Sequence, residues 1–196
     1  IYSIKKYPPG CDIEILIIDN NSEEEETIKF LNNFHSLKSG NINQIVVKFP
    51  GEFNFSEMNN YAVKKSNGNV ILLLNNDVSF LEKGWGYELS SNALRNDIGC
   101  VGCKLLFPDQ KIQHGGVILG IGGIAGHAHK YLLADSDGYN GRLNYSQEFS
   151  AVTAACMAIS RANWEILGGM NAVNLKVNYN DVDLCLKAKK IGLKNI

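Results

Sequence analysis

An excess of charge of either sign is the first thing this sequence lacks. Nineteen Lys and Arg stand against 20 Asp and Glu in 196 residues, a formal net charge of −1. Binding to nucleic acid or to an anionic bilayer draws on a positive field, so neither partner is expected, and an anionic ligand must be held by local groups. Apolar runs of the roughly 18 residues that a membrane-spanning helix requires are also missing. The N-terminus has no signal-peptide core. These absences predict a chain without a transmembrane segment and a cytoplasmic location, while an anchor outside this segment stays open. Repeats, low-complexity tracts and linkers are lacking too. With 45% hydrophobic and 20% charged residues, a chain of this length reads as one globular domain that buries roughly two thirds of its unfolded surface.

A disulfide framework is not expected either. The five cysteines (Cys11, Cys100, Cys103, Cys156 and Cys185) are odd in number, scattered and mostly set among apolar neighbours, as reduced thiols of a cytosolic core are. Cys100-Val-Gly-Cys103 has the spacing of a redox pair or half a zinc site. No second Cys pair follows it, and it lies in a strand-like run from Ile98 to Leu106, so it reads as buried small residues.

What is present is an alternation of strands and helices. Glu14-Ile-Leu-Ile-Ile18 is a short apolar run that ends in Asp19-Asn-Asn-Ser22, the pattern of a strand buried on both faces. Ser22 and the four glutamates after it predict a capped helix continuing through Ile28, Leu31 and Phe34. A strand over Ile42 to Phe49, a helix over Ser56 to Ser66, and the run Val70-Ile-Leu-Leu-Leu74 complete a βαβαβ rhythm, which implies a mostly parallel sheet flanked by helices. A helix from Gly84 to Arg95, a Gly-rich stretch from His114 to Gly126 and an exposed loop from Gly138 to Ser146 follow. Val152 to Ser160 reads as a strand, Arg161 to Leu167 as a helix stopped by Gly168-Gly169, and Asn180 caps a last helix that ends at Gly192.

Four places are candidates for chemistry. Leu72-Leu-Leu-Asn-Asn-Asp77 sets polar residues directly after a strand apolar enough for the sheet centre, where an unpaired carboxylate is costly. A hard divalent cation would offset that cost and could bridge a diphosphate. The alternative is a turn in which Asn75, Asn76 and Asp77 close the strand. Asp19 ends the first strand in the same way, either as a ligand group at a sheet edge or as an Asx-turn cap. In Asn180-Asp-Val-Asp183 both acids fall in the first turn of a helix, which is ordinary capping, although an ionised carboxylate there can also accept a proton from a sugar hydroxyl. His114, His127 and His129 suggest a metal, since His-x-His puts two imidazoles on one side of a strand. No Cys or acid cluster supports that, and core, loop or substrate-contact roles are expected.

Taken together, Glu14 to Ser22, Phe53-Asn-Phe-Ser-Glu-Met-Asn-Asn60, Leu72 to Val78 and Asn180-Asp-Val-Asp-Leu-Cys-Leu186 resemble family 2 glycosyltransferases of the glycosyltransferase-A fold, in order and spacing. Val101 to Pro108, Ile112-Gln-His-Gly-Gly-Val117 and Val152-Thr-Ala-Ala-Cys156 are similar to the bacterial branch that contains rhamnosyltransferase-like enzymes of surface-polysaccharide assembly. The resemblance implies a Rossmann-like α/β fold and an inverting transfer of a hexosyl or rhamnosyl group. The donor would be a nucleotide-diphosphate sugar and the acceptor a saccharide or lipid-linked saccharide, in polysaccharide or O-antigen biosynthesis, in the cytoplasm or at the inner membrane face. It further implies that Asp19 and Asn54 contact the nucleotide and that Asn75, Asn76 and Asp77 occupy the Asp-x-Asp position. Asp77 would then ligate Mg²⁺ or Mn²⁺, and Asp181 would be the catalytic base with Asp183 in support. Asn75 and Asn180 stand where the family has acids. A first strand and a C-terminal histidine of the family pattern are not found, which suggests a fragment. The rivals are a non-catalytic nucleotide- or carbohydrate-binding module, consistent with those asparagines, and a nucleotidyltransferase, which should carry a Gly-rich phosphate loop.

Overall fold

The computed structural model describes residues 1–34 and 42–196. The chain forms two compact units. One comprises Ile1–Asn69, Ser79–Glu88 and Gly169–Asn180, and the other Val70–Val78, Leu89–Gly168 and Asp181–Ile196.

The first unit opens with a short helix α1 (Tyr2–Lys6) and strand β1 (Ile13–Asp19), followed by helix α2 (Glu25–Phe34), strand β2 (Ile42–Lys48) and helix α3 (Phe55–Val63). β1 and β2 run parallel, in register from Ile13 opposite Ile42 to Asp19 opposite Lys48. The expected parallel pairing is therefore present. Every residue of β1 is only half-buried, so the reading of a strand covered on both faces is corrected. α2 begins at Glu25, later than expected, because Ser22 is drawn into a turn with Asp19 and the first helical bond runs from the Ile28 N–H to the Glu24 carbonyl. Residues 79–88 join this unit through Trp85, whose ring stacks on Phe80 at 3.7 Å and whose indole N–H donates to the Tyr7 carbonyl.

The second unit is built on strand β3 (Val70–Leu74), strand β4 (Cys100–Gly102) and strand β9 (Cys156–Ser160). β9 lies between the other two and antiparallel to both. Every strand pairing in this sheet is thus antiparallel, while the parallel pairing expected from the sequence is that of β1 and β2. The cause is that the chain returns through a long excursion before β9 rather than through a single crossover helix. The predicted strand from Ile98 to Leu106 breaks into β4 and β5 (Leu105–Leu106). The Gly-rich stretch, left without elements by its composition, holds β6 (Ile112–His114), β7 (Val117–Leu119) and β8 (Ala125–His127) as short antiparallel pairings. Helix α4 (Trp85–Ala93) precedes β4, and helix α5 (Arg161–Leu167) follows β9, capped by Ser160 and ended by Gly168 at φ +73°.

Helix α6 (Asn180–Lys190) ends as its sequence predicts, with Gly192 at φ +89° accepting the left-handed turn that a side chain would resist. Its buried face, Leu184, Cys185 and Ala188, packs in the same core as Ile98, Cys100, Met157 and Ile159, all fully buried. The approach is close. A Cβ on Gly99 would lie 2.6 Å from that of Ala188.

Candidate active site

Two of the candidate groups sit in the second unit and are fastened to one short segment. At the end of β3, Asn75 donates its backbone N–H to the Ala155 carbonyl at 3.0 Å. At the start of α6, Asp181 accepts the backbone N–H of Ala154 on Oδ2 at 3.1 Å and that of Val182 on Oδ1 at 2.8 Å. Consecutive residues ahead of β9 therefore hold both the Asn-Asn-Asp turn and the Asp181 carboxylate. The apolar run from Val152 suggested a strand throughout, but regular pairing starts only at Cys156. Ahead of it, the Ala154 N–H and the Ala155 carbonyl turn to Asp181 and Asn75, while the Val152 backbone meets the Cys185 sulfur.

Asn75, Asn76 and Asp77 form the expected turn, with the Val78 N–H bonded back to the Asn75 carbonyl. Asn76 and Asp77 are exposed. The desolvation argument for a cation at Asp77 is therefore corrected, since the strand is buried but the carboxylate after it is not. Among the described residues Asp77 makes no side-chain hydrogen bond or ion pair, which leaves its oxygens available. No group of three or more His, Cys, Asp or Glu among the described residues is placed to hold a metal ion. A lone carboxylate with neighbouring amide oxygens suits a hard cation only if that ion brings further oxygen ligands, as a diphosphate-bound Mg²⁺ or Mn²⁺ does. Asp183 pairs with Lys187 at 2.8 Å along the helix, a local structural partnership.

In the first unit, Asp19 ends β1 and its Oδ1 accepts the Ser22 N–H at 3.0 Å. The hydrogen bonds from Ser22 lower its pKa, aided by Lys48, so it is a half-buried, ionised acceptor. Asn54 has a different task. It is buried, caps α3 by accepting the Glu57 N–H at 3.0 Å, and donates its amide to the Ala172 carbonyl at 3.0 Å. Ser56 donates to the Leu175 carbonyl, and Asn60 exchanges two hydrogen bonds with Met170. The polar residues of the Phe53 to Asn60 motif thus tie α3 to the segment Gly169–Asn180. Asn54 is committed to that framework. Asn180 is buried as well, its amide donating to the Val177 carbonyl.

The histidines also resolve differently from a His-x-His strand. β8 stops at His127, and His129 lies beyond it at φ +59°. His127 instead meets His114, with Nδ1 to Nδ1 at 2.8 Å and the rings edge to face. One ring donates and the other accepts, so the accepting ring must be neutral. Burial, and then the neighbouring His127, depress the His114 pKa to about 3. His127 is lowered by burial and by Lys130 but raised by the charge of Asp181.

Solved structures place this fold. A mannosyltransferase from Pyrobaculum calidifontis, in complex with GDP-Man and Mn²⁺, superposes with a TM-score of 0.68 at 14% identity, over 100% of this chain and 48% of that one. GalNAc-T7, crystallised with UDP, GalNAc and Mn²⁺, gives a TM-score of 0.73 at 16% identity, over 99% of this chain and 38% of that one. Both show the glycosyltransferase-A fold that the motifs implied. The uncharacterized protein y4gI of Sinorhizobium fredii is 39% identical over 185 residues, 94% of this chain and 20% of that protein. The O-antigen biosynthesis protein RfbC of Myxococcus xanthus is 34% identical over 192 residues, 96% of this chain and 14% of that protein. The chain therefore spans a fifth or less of the length of these curated relatives. The sequence profile of glycosyl transferase family 2 matches residues 1–164, and with more than half its length matched the chain belongs to that family.

Proposed function

We propose that the chain is the donor-binding and base-carrying part of an inverting glycosyltransferase, moving a sugar from a nucleotide-diphosphate donor to a saccharide or lipid-linked saccharide acceptor. The observation that carries this is the common anchorage of Asn75 and Asp181 on Ala155 and Ala154. It puts the turn that would meet the diphosphate and the carboxylate that would meet the acceptor under the control of one segment. The relative named for O-antigen biosynthesis supports a role in surface-polysaccharide assembly, and the rhamnosyltransferase-like motifs support a hexosyl or rhamnosyl donor.

Asp77 would hold Mg²⁺ or Mn²⁺ together with the donor diphosphate, and Asp19 would accept a hydrogen bond from the nucleotide. The cation supplies charge neutralisation for the departing nucleoside diphosphate. Asp181 is preorganised by two backbone N–H donors, which keep its carboxylate oriented to take the acceptor hydroxyl proton as that oxygen attacks the anomeric carbon. Inversion follows from a single displacement.

The test is calorimetry on the full-length protein with GDP, UDP and dTDP, with and without Mn²⁺, for the wild type and Asp77→Ala. Metal-dependent binding that falls about tenfold or more in the variant is expected, and metal-independent binding unaltered by the substitution would contradict the assignment. The asparagines at 75 and 180 favour one second reading, a binding module without turnover. That reading requires metal-dependent nucleotide binding and no sugar transfer from any donor.

A further inference from the structure

We propose that Cys103 and Cys156 form a modification site for hydroperoxides, at which Cys103 is oxidised and Cys156 resolves it as an intramolecular disulfide. Gly102 of β4 stands opposite Met157 of β9 in antiparallel register. The next residues outward, Cys103 and Cys156, therefore meet, and their sulfurs lie 3.4 Å apart. Access is asymmetric. Cys103 is partly exposed, whereas Cys156 is buried at 1% exposure. The shared S–H contact lowers the Cys103 pKa and raises that of Cys156, which burial raises further, so Cys156 is the thiol that donates and Cys103 the sulfur that accepts, the division of labour that an attacking and a resolving cysteine require.

Cys100 and Cys185 provide an internal control, because these two thiols also interact but are both fully buried. A peroxide in solvent can reach Cys103 and neither of them. The Cys103 thiolate attacks one peroxide oxygen, the O–O bond breaks, and the departing hydroxide leaves as water after taking a proton. The Cys156 sulfur then attacks the sulfenic sulfur, the S–O bond breaks, and a second water leaves with the Cys156 proton. Two thiols and one hydrogen peroxide thus give one disulfide and two waters, and an organic hydroperoxide would release its alcohol in place of the first water. The bond would tie the end of β4 to β9 beside Leu74, which faces Cys156 across the sheet, and next to Ala155, which holds Asn75. This chemistry does not depend on the glycosyltransferase reading, so either can fail alone.

The experiment treats the full-length protein with hydrogen peroxide, blocks remaining thiols by alkylation and maps peptides by mass spectrometry. The expected result is a cross-linked peptide pair containing Cys103 and Cys156, lost on reduction with dithiothreitol, while Cys100 and Cys185 stay alkylated. In Cys156→Ala, whose fold is checked by circular dichroism, dimedone should label Cys103. In Cys103→Ser, Cys156 should remain a free thiol. Alkylation of wild-type Cys103 and Cys156 to the same extent with and without peroxide would overturn the proposal, as would a cross-link between Cys100 and Cys185 in their place.

Discussion

Asn195 has no exposed surface, yet its side chain makes three hydrogen bonds, accepting from the Cys100 N–H and donating to the Ser150 and Cys185 carbonyls. Removing it leaves the buried Cys100 N–H without this partner and takes a donor from each of the Ser150 and Cys185 carbonyls, three hydrogen bonds lost in or beside the core. Asn195→Ala should therefore destabilise the fold by about 3 kcal/mol or more, read from urea unfolding. His114 makes a pH prediction. Its folded pKa of about 3 lies below the unfolded value near 6.5, so between those limits the unfolded chain binds the extra proton. Stability should then rise with pH up to about 6.5, with a slope from this residue of at most about 1.4 kcal/mol per pH unit, and level off above. Comparing melts of wild type and His114→Asn from pH 4.5 to 8 should show that slope reduced in the variant. Asp19, Asp77 and Asp181 were legible in the sequence because each sits at an element end marked by turn or capping chemistry. Asn195 and the His114 to His127 contact were not, since their partners lie 10 to 95 residues away in the chain and nothing local records them.

Helices and the long apolar strands were legible as elements because periodicity, caps and Gly stops all agree on them. α5 follows its Ser160 cap, α6 follows its Gly192 stop, and β3 follows its unbroken apolar run. The excursion between β4 and β9 was not legible. Its pairings are two or three residues long, too short for alternation to register. Nor could the antiparallel insertion of β9 between β3 and β4 be read locally, because a fully buried strand looks the same in either direction. The element that positions Asp181 depends on close packing between the start of β4 and α6. Gly99→Ala would set a methyl 2.6 Å from that of Ala188, and overpacking of this kind costs about 1–3 kcal/mol. A fall in Tm of about 2–4 °C per kcal/mol is expected by scanning calorimetry, with a loss of transfer activity as α6 shifts.

At the scale of the molecule, the chain belongs to glycosyl transferase family 2 and has the glycosyltransferase-A fold, and the segment shared by Asn75 and Asp181 is what supports the proposed sugar transfer. No helix among the described residues is long and apolar enough to cross a membrane, in agreement with the absence of apolar runs. The central claim is that Asp181 takes the acceptor proton. Steady-state sugar transfer by the full-length protein, wild type against Asp181→Asn, tests it most directly, with nucleotide affinity measured in parallel. The substitution keeps the size of the side chain and an oxygen for the Ala154 N–H while removing the base. A fall in kcat of about 100-fold or more, with nucleotide affinity within about twofold of wild type, is the expected result. Transfer by Asp181→Asn at the wild-type rate would contradict the account.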